Sequence, residues 1–93
     1  MIFLKQHQMK KPKNIIIFVS GNGSNMSNLI AHFEEKESAR IEAVFSNNKE
    51  CLAIQNAQKL GVNTIAFTKQ ELEEGNVAEL VKLLNTDLIV LAG

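Results

Sequence analysis

Ile15-Ile16-Ile17-Phe18-Val19 runs directly into Ser20-Gly21-Asn22-Gly23-Ser24-Asn25, and a helical pattern begins at Met26. Five apolar residues bounded by a glycine-rich turn read as a buried strand, spanning about Asn14 to Val19. Met26, Leu29, Ile30 and Phe33 fall at i, i+3, i+4 and i+7, so a first helix over about Met26 to Glu37 packs that stripe on a sheet. A strand that turns through glycines into a helix gathers backbone N–H groups and the positive end of the helix dipole at one point, which favours phosphate.

Spacing narrows what kind of phosphate. A dinucleotide fingerprint places a third glycine three residues after the second, where this chain has Met26, and no Asp or Glu closes the second strand to hold a ribose. A nucleoside-triphosphate loop ends in Gly-Lys-Ser/Thr, and no lysine lies between Val19 and Lys36. What remains is a short loop of small polar residues, Asn22, Ser24 and Asn25, suited to a phosphate monoester. The plainer alternative is that Ser24 or Asn25 is only a helix N-cap.

Working outward, strand two covers about Ile41 to Phe45, followed by the turn Ser46-Asn47-Asn48-Lys49 and a helix from Glu50 to Leu60 closed by Gly61. Ala53, Ile54, Ala57 and Leu60 form its inward face. Strand three covers about Asn63 to Phe67, and a third helix over about Leu72 to Leu84 carries Val77, Leu80, Val81 and Leu84, with Gly75 disturbing its start. Glu71, Glu73 and Glu74 sit near its first turn, where negative charge suits the dipole. Strand four is Leu88 to Leu91. Four strands alternating with three helices predict an α/β fold, a parallel doubly wound sheet with right-handed crossovers and a ligand crevice outside the strands' carboxyl ends.

Ten Lys plus Arg balance ten Asp plus Glu, but Lys5, Lys10, Lys11 and Lys13 precede any acid. Residues 1–13 read as a basic, disordered leader set off by Pro12, and residues 14–93 as one small domain of net charge −4. An acidic body argues against a nucleic-acid surface. Met1 to Leu4 is too short an apolar run for a secretion signal and no stretch is long enough to span a membrane, so a cytoplasmic protein is expected. A lone cysteine, Cys51, excludes an internal disulfide and reads as packing, as His7 and His32 read as bland; no metal site is expected.

Three motifs together carry a resemblance. Ser20 to Asn25 after a strand, Ala43-Val44-Phe45-Ser46-Asn47 closing the second, and Asp87-Leu88-Ile89-Val90-Leu91-Ala92-Gly93 resemble, in order and spacing, the N-terminal half of the phosphoribosylglycinamide formyltransferase family. The match covers residues 14–93. It implies a Rossmann-like sheet of order 3-2-1-4, with Gly23 and Gly93 facing one crevice. It also implies that Gly23, Ser24 and Asn25 bind the phosphate of glycinamide ribonucleotide, which receives a formyl group from 10-formyltetrahydrofolate in purine biosynthesis.

In that family the catalytic Asn-x-His pair and a later Asp follow the strand ending in Leu-Ala-Gly, as does most of the folate site. The resemblance thus implies no catalytic residue in this chain, a truncated half-enzyme inactive by itself. A non-catalytic phosphate-binding or interaction remnant of the fold is the alternative. A related transferase acting on methionyl-tRNA is disfavoured by the Ser-Gly-Asn-Gly-Ser-Asn loop and the acidic body. Strand four, apolar throughout, becomes a sheet edge, so marginal stability and self-association through that edge are expected.

Overall fold

The computed structural model describes residues 13–21, 23–36 and 38–92. The expected leader lies outside the described residues apart from Lys13, which opens the first strand; Gly93, expected across the crevice from Gly23, also lies outside them.

In chain order the elements are β1 (Lys13–Val19), α1 (Ser24–Glu34), β2 (Ala39–Ser46), α2 (Leu52–Lys59), β3 (Thr64–Ala66), α3 (Lys69–Glu73), α4 (Asn76–Leu83) and β4 (Leu88–Leu91). The strands form one sheet of order β3-β2-β1-β4, and every pairing is parallel. Both the α/β class and the strand order expected from the sequence are thereby met.

The alternation of β1 distributes its side chains between two cores. Ile15, Ile17 and Val19 join Met26 and Ile30 of α1, Val44 of β2 and Ala53, Ile54 and Ala57 of α2. Ile16 points to the other face, with Ala43 and Phe45 of β2 and Val77 of α4. There Phe18 stacks on Phe45 at 5.2 Å between ring centroids, and Phe67 leans on both. A register shift between Ile15 and Ile16 makes Ile41 and Ala43 their successive partners on β2. The shift explains how Ile41 and Val44, at odd and even positions, pack against the same core.

One element departs from expectation. The single helix read over 72–84 is two, because Gly75 stands between them in the left-handed region at φ 86°. The first, α3, is started by a capping box: Glu71 N–H donates to Thr68 Oγ1 at 3.0 Å and Thr68 N–H to Glu71 Oε1 at 2.8 Å. Among the described residues the helices therefore number four, and the stripe Val77, Leu80, Val81 and Leu84 packs on the sheet as α4 and its C-cap.

At the amino ends of the strands, β1 is latched to β4. Asn14 N–H donates to the Asp87 carboxylate at 2.8 Å, and Asp87 N–H returns a bond to the Asn14 carbonyl at 2.8 Å. The Asn14 amide also donates to the carbonyls of Leu84 and Asn85, both at 3.2 Å. With this end fixed, the carboxyl ends of β1, β2 and β4 align at the opposite side of the sheet.

Candidate functional site

At that carboxyl edge β1 passes from buried Val19 through exposed Ser20 and Gly21 into α1. The helix is capped by Gly23, at φ 88° and ψ 16°, so neither Ser24 nor Asn25 is the N-cap. They occupy the first two helical positions instead, and both are exposed. The Gly23 carbonyl begins the helical ladder by accepting from Ser27 N–H at 2.9 Å. No acidic residue lies in the first turn, so the positive end of α1 is not neutralised from within its own helix.

Gly23 is a glycine for two reasons. Its backbone is left-handed, which costs any L side chain about 1–2 kcal/mol. A Cβ there would also lie 2.8 Å from the Ala53 Cα and 2.9 Å from its Cβ, a clash with helix backbone that cannot swing aside. Ala53 N–H further donates to the Gly21 carbonyl at 3.3 Å. The start of α2 thus bears on the loop from behind.

The start of α2 is itself set by β2. Ser46 is buried, and its hydroxyl lies 3.4 Å from the Cys51 Sγ while accepting from Asn48 N–H at 3.1 Å. Cys51, the N-cap of α2, is buried in the core with a packing role, as its sequence setting suggests. Sequence reasoning placed Ala53 on the inward face of α2 but missed its contact with Gly23. The only trace in the sequence is that both residues are small.

The loop occupies the middle of the sheet edge. β2 flanks β1 on one side and β4 on the other, where Ala92 N–H extends the ladder to the Phe18 carbonyl at 2.9 Å. This is the point at which strand order reverses, the usual place for a ligand in an open parallel sheet. Gly23, Ser24 and Asn25 come together here as one turn. His32 is exposed, edge-on to Phe33 and away from the loop at the far end of α1. Among the described residues no group of three or more His, Cys, Asp or Glu could hold a metal ion, and no helix is long and apolar enough to cross a membrane.

A family model described as formyl transferase matches residues 13–93, essentially all of this fold. The chain belongs to the formyl transferase family. It is 31% identical over 86 residues to phosphoribosylglycinamide formyltransferase of Escherichia coli K12, covering 86% of this chain and 41% of that protein. The same-named protein of Dictyostelium discoideum is 32% identical over 94 residues, covering 86% of this chain and 46% of its own length. The crystal structure of phosphoribosylglycinamide formyltransferase from Brucella melitensis superposes with a TM-score of 0.81 at 34% identity, covering 89% of this chain and 46% of that one. The resemblance read from the three motifs is borne out. The formyl transferase member described here spans less than half the length of the curated relatives it matches.

Proposed function

We propose that the β1–α1 loop, through Gly23, Ser24 and Asn25, holds the phosphate of glycinamide ribonucleotide. On this reading the chain is the substrate-phosphate-binding half of an enzyme that transfers a formyl group from 10-formyltetrahydrofolate to that ribonucleotide in purine biosynthesis. The observation that carries the reading is buried, left-handed Gly23, pressed on Ala53 at the head of α1. Lacking a side chain, it fits against Ala53 in a left-handed turn that leaves the first turn of α1 exposed at the carboxyl edge, where its N–H groups favour an anion. The names of the relatives supply the substrate class.

The chain's own residues position the substrate. The N–H groups of the first turn point along the helix axis towards a phosphate seated before Ser24, and the dipole contributes about half a positive charge there. The hydroxyl of Ser24 and the amide of Asn25, exposed on that turn, are of the right type to meet phosphate oxygens. A ribonucleotide anchored in this way extends along the sheet edge between β1 and β4. Anchoring a remote phosphate confines the reacting amine, which lowers the entropic part of the barrier to its attack on the formyl carbon.

The formyl donor is the second substrate. Its binding, and the groups that move protons during attack, belong to portions of the relatives that this chain does not span. The chain alone is accordingly expected to bind the ribonucleotide without turning it over, and turnover by the isolated chain would break this division of labour.

Isothermal titration calorimetry with glycinamide ribonucleotide and with its dephosphorylated riboside tests the assignment. Binding should require the phosphate, and Asn25→Asp, which sets a negative charge on the exposed first turn, should abolish it while circular dichroism still reports a folded chain. Equal heats from riboside and ribonucleotide, or undiminished binding by folded Asn25→Asp, would place the phosphate elsewhere.

A further inference from the structure

Among the described residues Ser46 is the one polar side chain that is buried, at 1% exposure. It closes β2, where its register partners are Val19 on β1 and Ala66 on β3, and its carbonyl accepts from Phe67 N–H at 3.0 Å. The Ser46 backbone is therefore held from both sides at the carboxyl edge, level with the residue at which β1 gives way to the loop. A hydroxyl taken out of water costs stability unless it is bonded, so packing alone favours an apolar residue at this position.

The hydroxyl is used at the head of the next helix. It accepts from Asn48 N–H at 3.1 Å, and the Asn48 carbonyl in turn accepts from Cys51 N–H at 3.1 Å. Cys51, whose Sγ lies 3.4 Å from the same hydroxyl, is the N-cap of α2, yet its own side chain caps no backbone N–H of that helix. Ser46 thus supplies from the sheet the anchorage that α2 lacks at its start. Two residues further on, Ala53 N–H donates to the Gly21 carbonyl at 3.3 Å, and the Ala53 backbone bears on Gly23. The cap of α1 at Gly23 likewise has no side-chain hydrogen bond, so α2 is what backs the turn.

We infer that Ser46 is a positioning residue for the phosphate turn: through Asn48 and Cys51 its hydroxyl fixes the head of α2, and through Ala53 that head fixes Gly21 and Gly23. This role rests on the reading of Gly23, Ser24 and Asn25 as the phosphate site. Being buried, Ser46 touches no ligand and acts only through the geometry of the turn. An anion held by backbone N–H groups depends on that geometry to within about 0.5 Å.

Heteronuclear NMR of Ser46→Ala, followed by titration with glycinamide ribonucleotide, tests the role. In the unliganded chain the amide resonances of Gly21, Gly23 and Ala53 should shift, and Ser27 N–H, bonded to the Gly23 carbonyl at 2.9 Å, should exchange faster, while the amides of α4 stay as they are. The Kd for the ribonucleotide should rise by about tenfold, and Ser46→Thr, which keeps the hydroxyl, should recover most of the loss. Should Ser46→Ala not fold, Ser46→Cys, whose sulfur is a weak acceptor, gives the same comparison in milder form. Gly75→Ala is the control for lost stability, since it strains the chain between α3 and α4 and should leave the Kd unchanged. Turn amides unmoved by Ser46→Ala would overturn the inference whether or not the ribonucleotide binds, and so would Gly75→Ala weakening binding as much. An unsubstituted chain that binds no ribonucleotide, with turn amides that still answer to Ser46→Ala, would overturn the phosphate reading and leave the link from Ser46 to the turn in place.

Discussion

β1 and β4 lie side by side and are made of the same kinds of residue, yet Ile15, Ile16 and Ile17 are at most 2% exposed whereas Leu88, Ile89 and Leu91 range from 46% to 79%. The difference comes from their surroundings. β1 has a strand on either edge, α1 and α2 over one face and α4 over the other. Among the described residues β4 has one strand and the margins of those helices. An apolar run therefore states what cover a strand requires, and burial states how much of it this chain provides. The candidate site sits where the two conditions meet, with Gly23 locked into the well-covered side and Ala92 continuing the bare one.

Substitutions on the covered side should carry the largest costs. Phe45 is fully buried, stacked on Phe18 and touched by Phe67. Phe45→Ala should lower stability by about 3–5 kcal/mol in urea denaturation, enough to leave a small domain largely unfolded. A loss below about 1 kcal/mol would mean that the α4 face collapses readily, and that the contrast between the strands is weaker than their burial indicates. Gly23→Ala comes next. Left-handed strain adds to an overpacked contact with Ala53, for a combined cost of about 2–4 kcal/mol. Gly75→Ala is the informative partner, because its φ of 86° carries the strain while its Cβ would meet nothing within 4 Å. Its cost should stay near 1–2 kcal/mol by the same denaturation measurement, so the excess at Gly23 isolates the pressure of α2 on the loop.

Much of this was legible in the sequence. The Ile15–Val19 run, the glycine turn and the stripe Met26, Leu29, Ile30, Phe33 specify strand, loop and helix locally, because periodicity and turn chemistry act over a few residues. Strand order followed from the family motifs and not from any local signal. The split of the third helix was half legible: Gly75 marked the disturbance, and Thr68 with Glu71 is a capping box written in the sequence, although the apolar stripe argued for one helix. The contact between Gly23 and Ala53 was not legible, since it joins two helices thirty residues apart through the absence of a side chain. The cap at Gly23 was hidden for a related reason. Ser24 and Asn25 are both good capping residues, and only the left-handed turn places them one step inside the helix.

The latch between the strands should cost less than either core change. Asp87→Ala removes the acceptor for Asn14 N–H at an exposed position, where water can replace it, so thermal denaturation should show a loss of about 0.5–1.5 kcal/mol. A larger loss would mean that β4 depends on this end for its alignment with β1, which the ladder from Ile15–Leu88 to Phe18–Leu91 otherwise maintains.

The smallest effect belongs to the bare strand itself. Leu91→Ala, at a side chain 79% exposed, should change the stability of the chain alone by no more than about 0.5 kcal/mol, although the same truncation in a core costs about 2–5. The measurement is most informative at two protein concentrations. A cost near zero at both means that Leu91 is wet in solution, as its exposure indicates. A cost that is substantial at high concentration and disappears on dilution means that copies of the chain shield one another's edges, the self-association its apolar sequence suggests, because only a contact between molecules is lost by mass action. A substantial cost that survives dilution would place Leu91 inside the monomer's own core, and the contrast between β1 and β4 would then be one of degree.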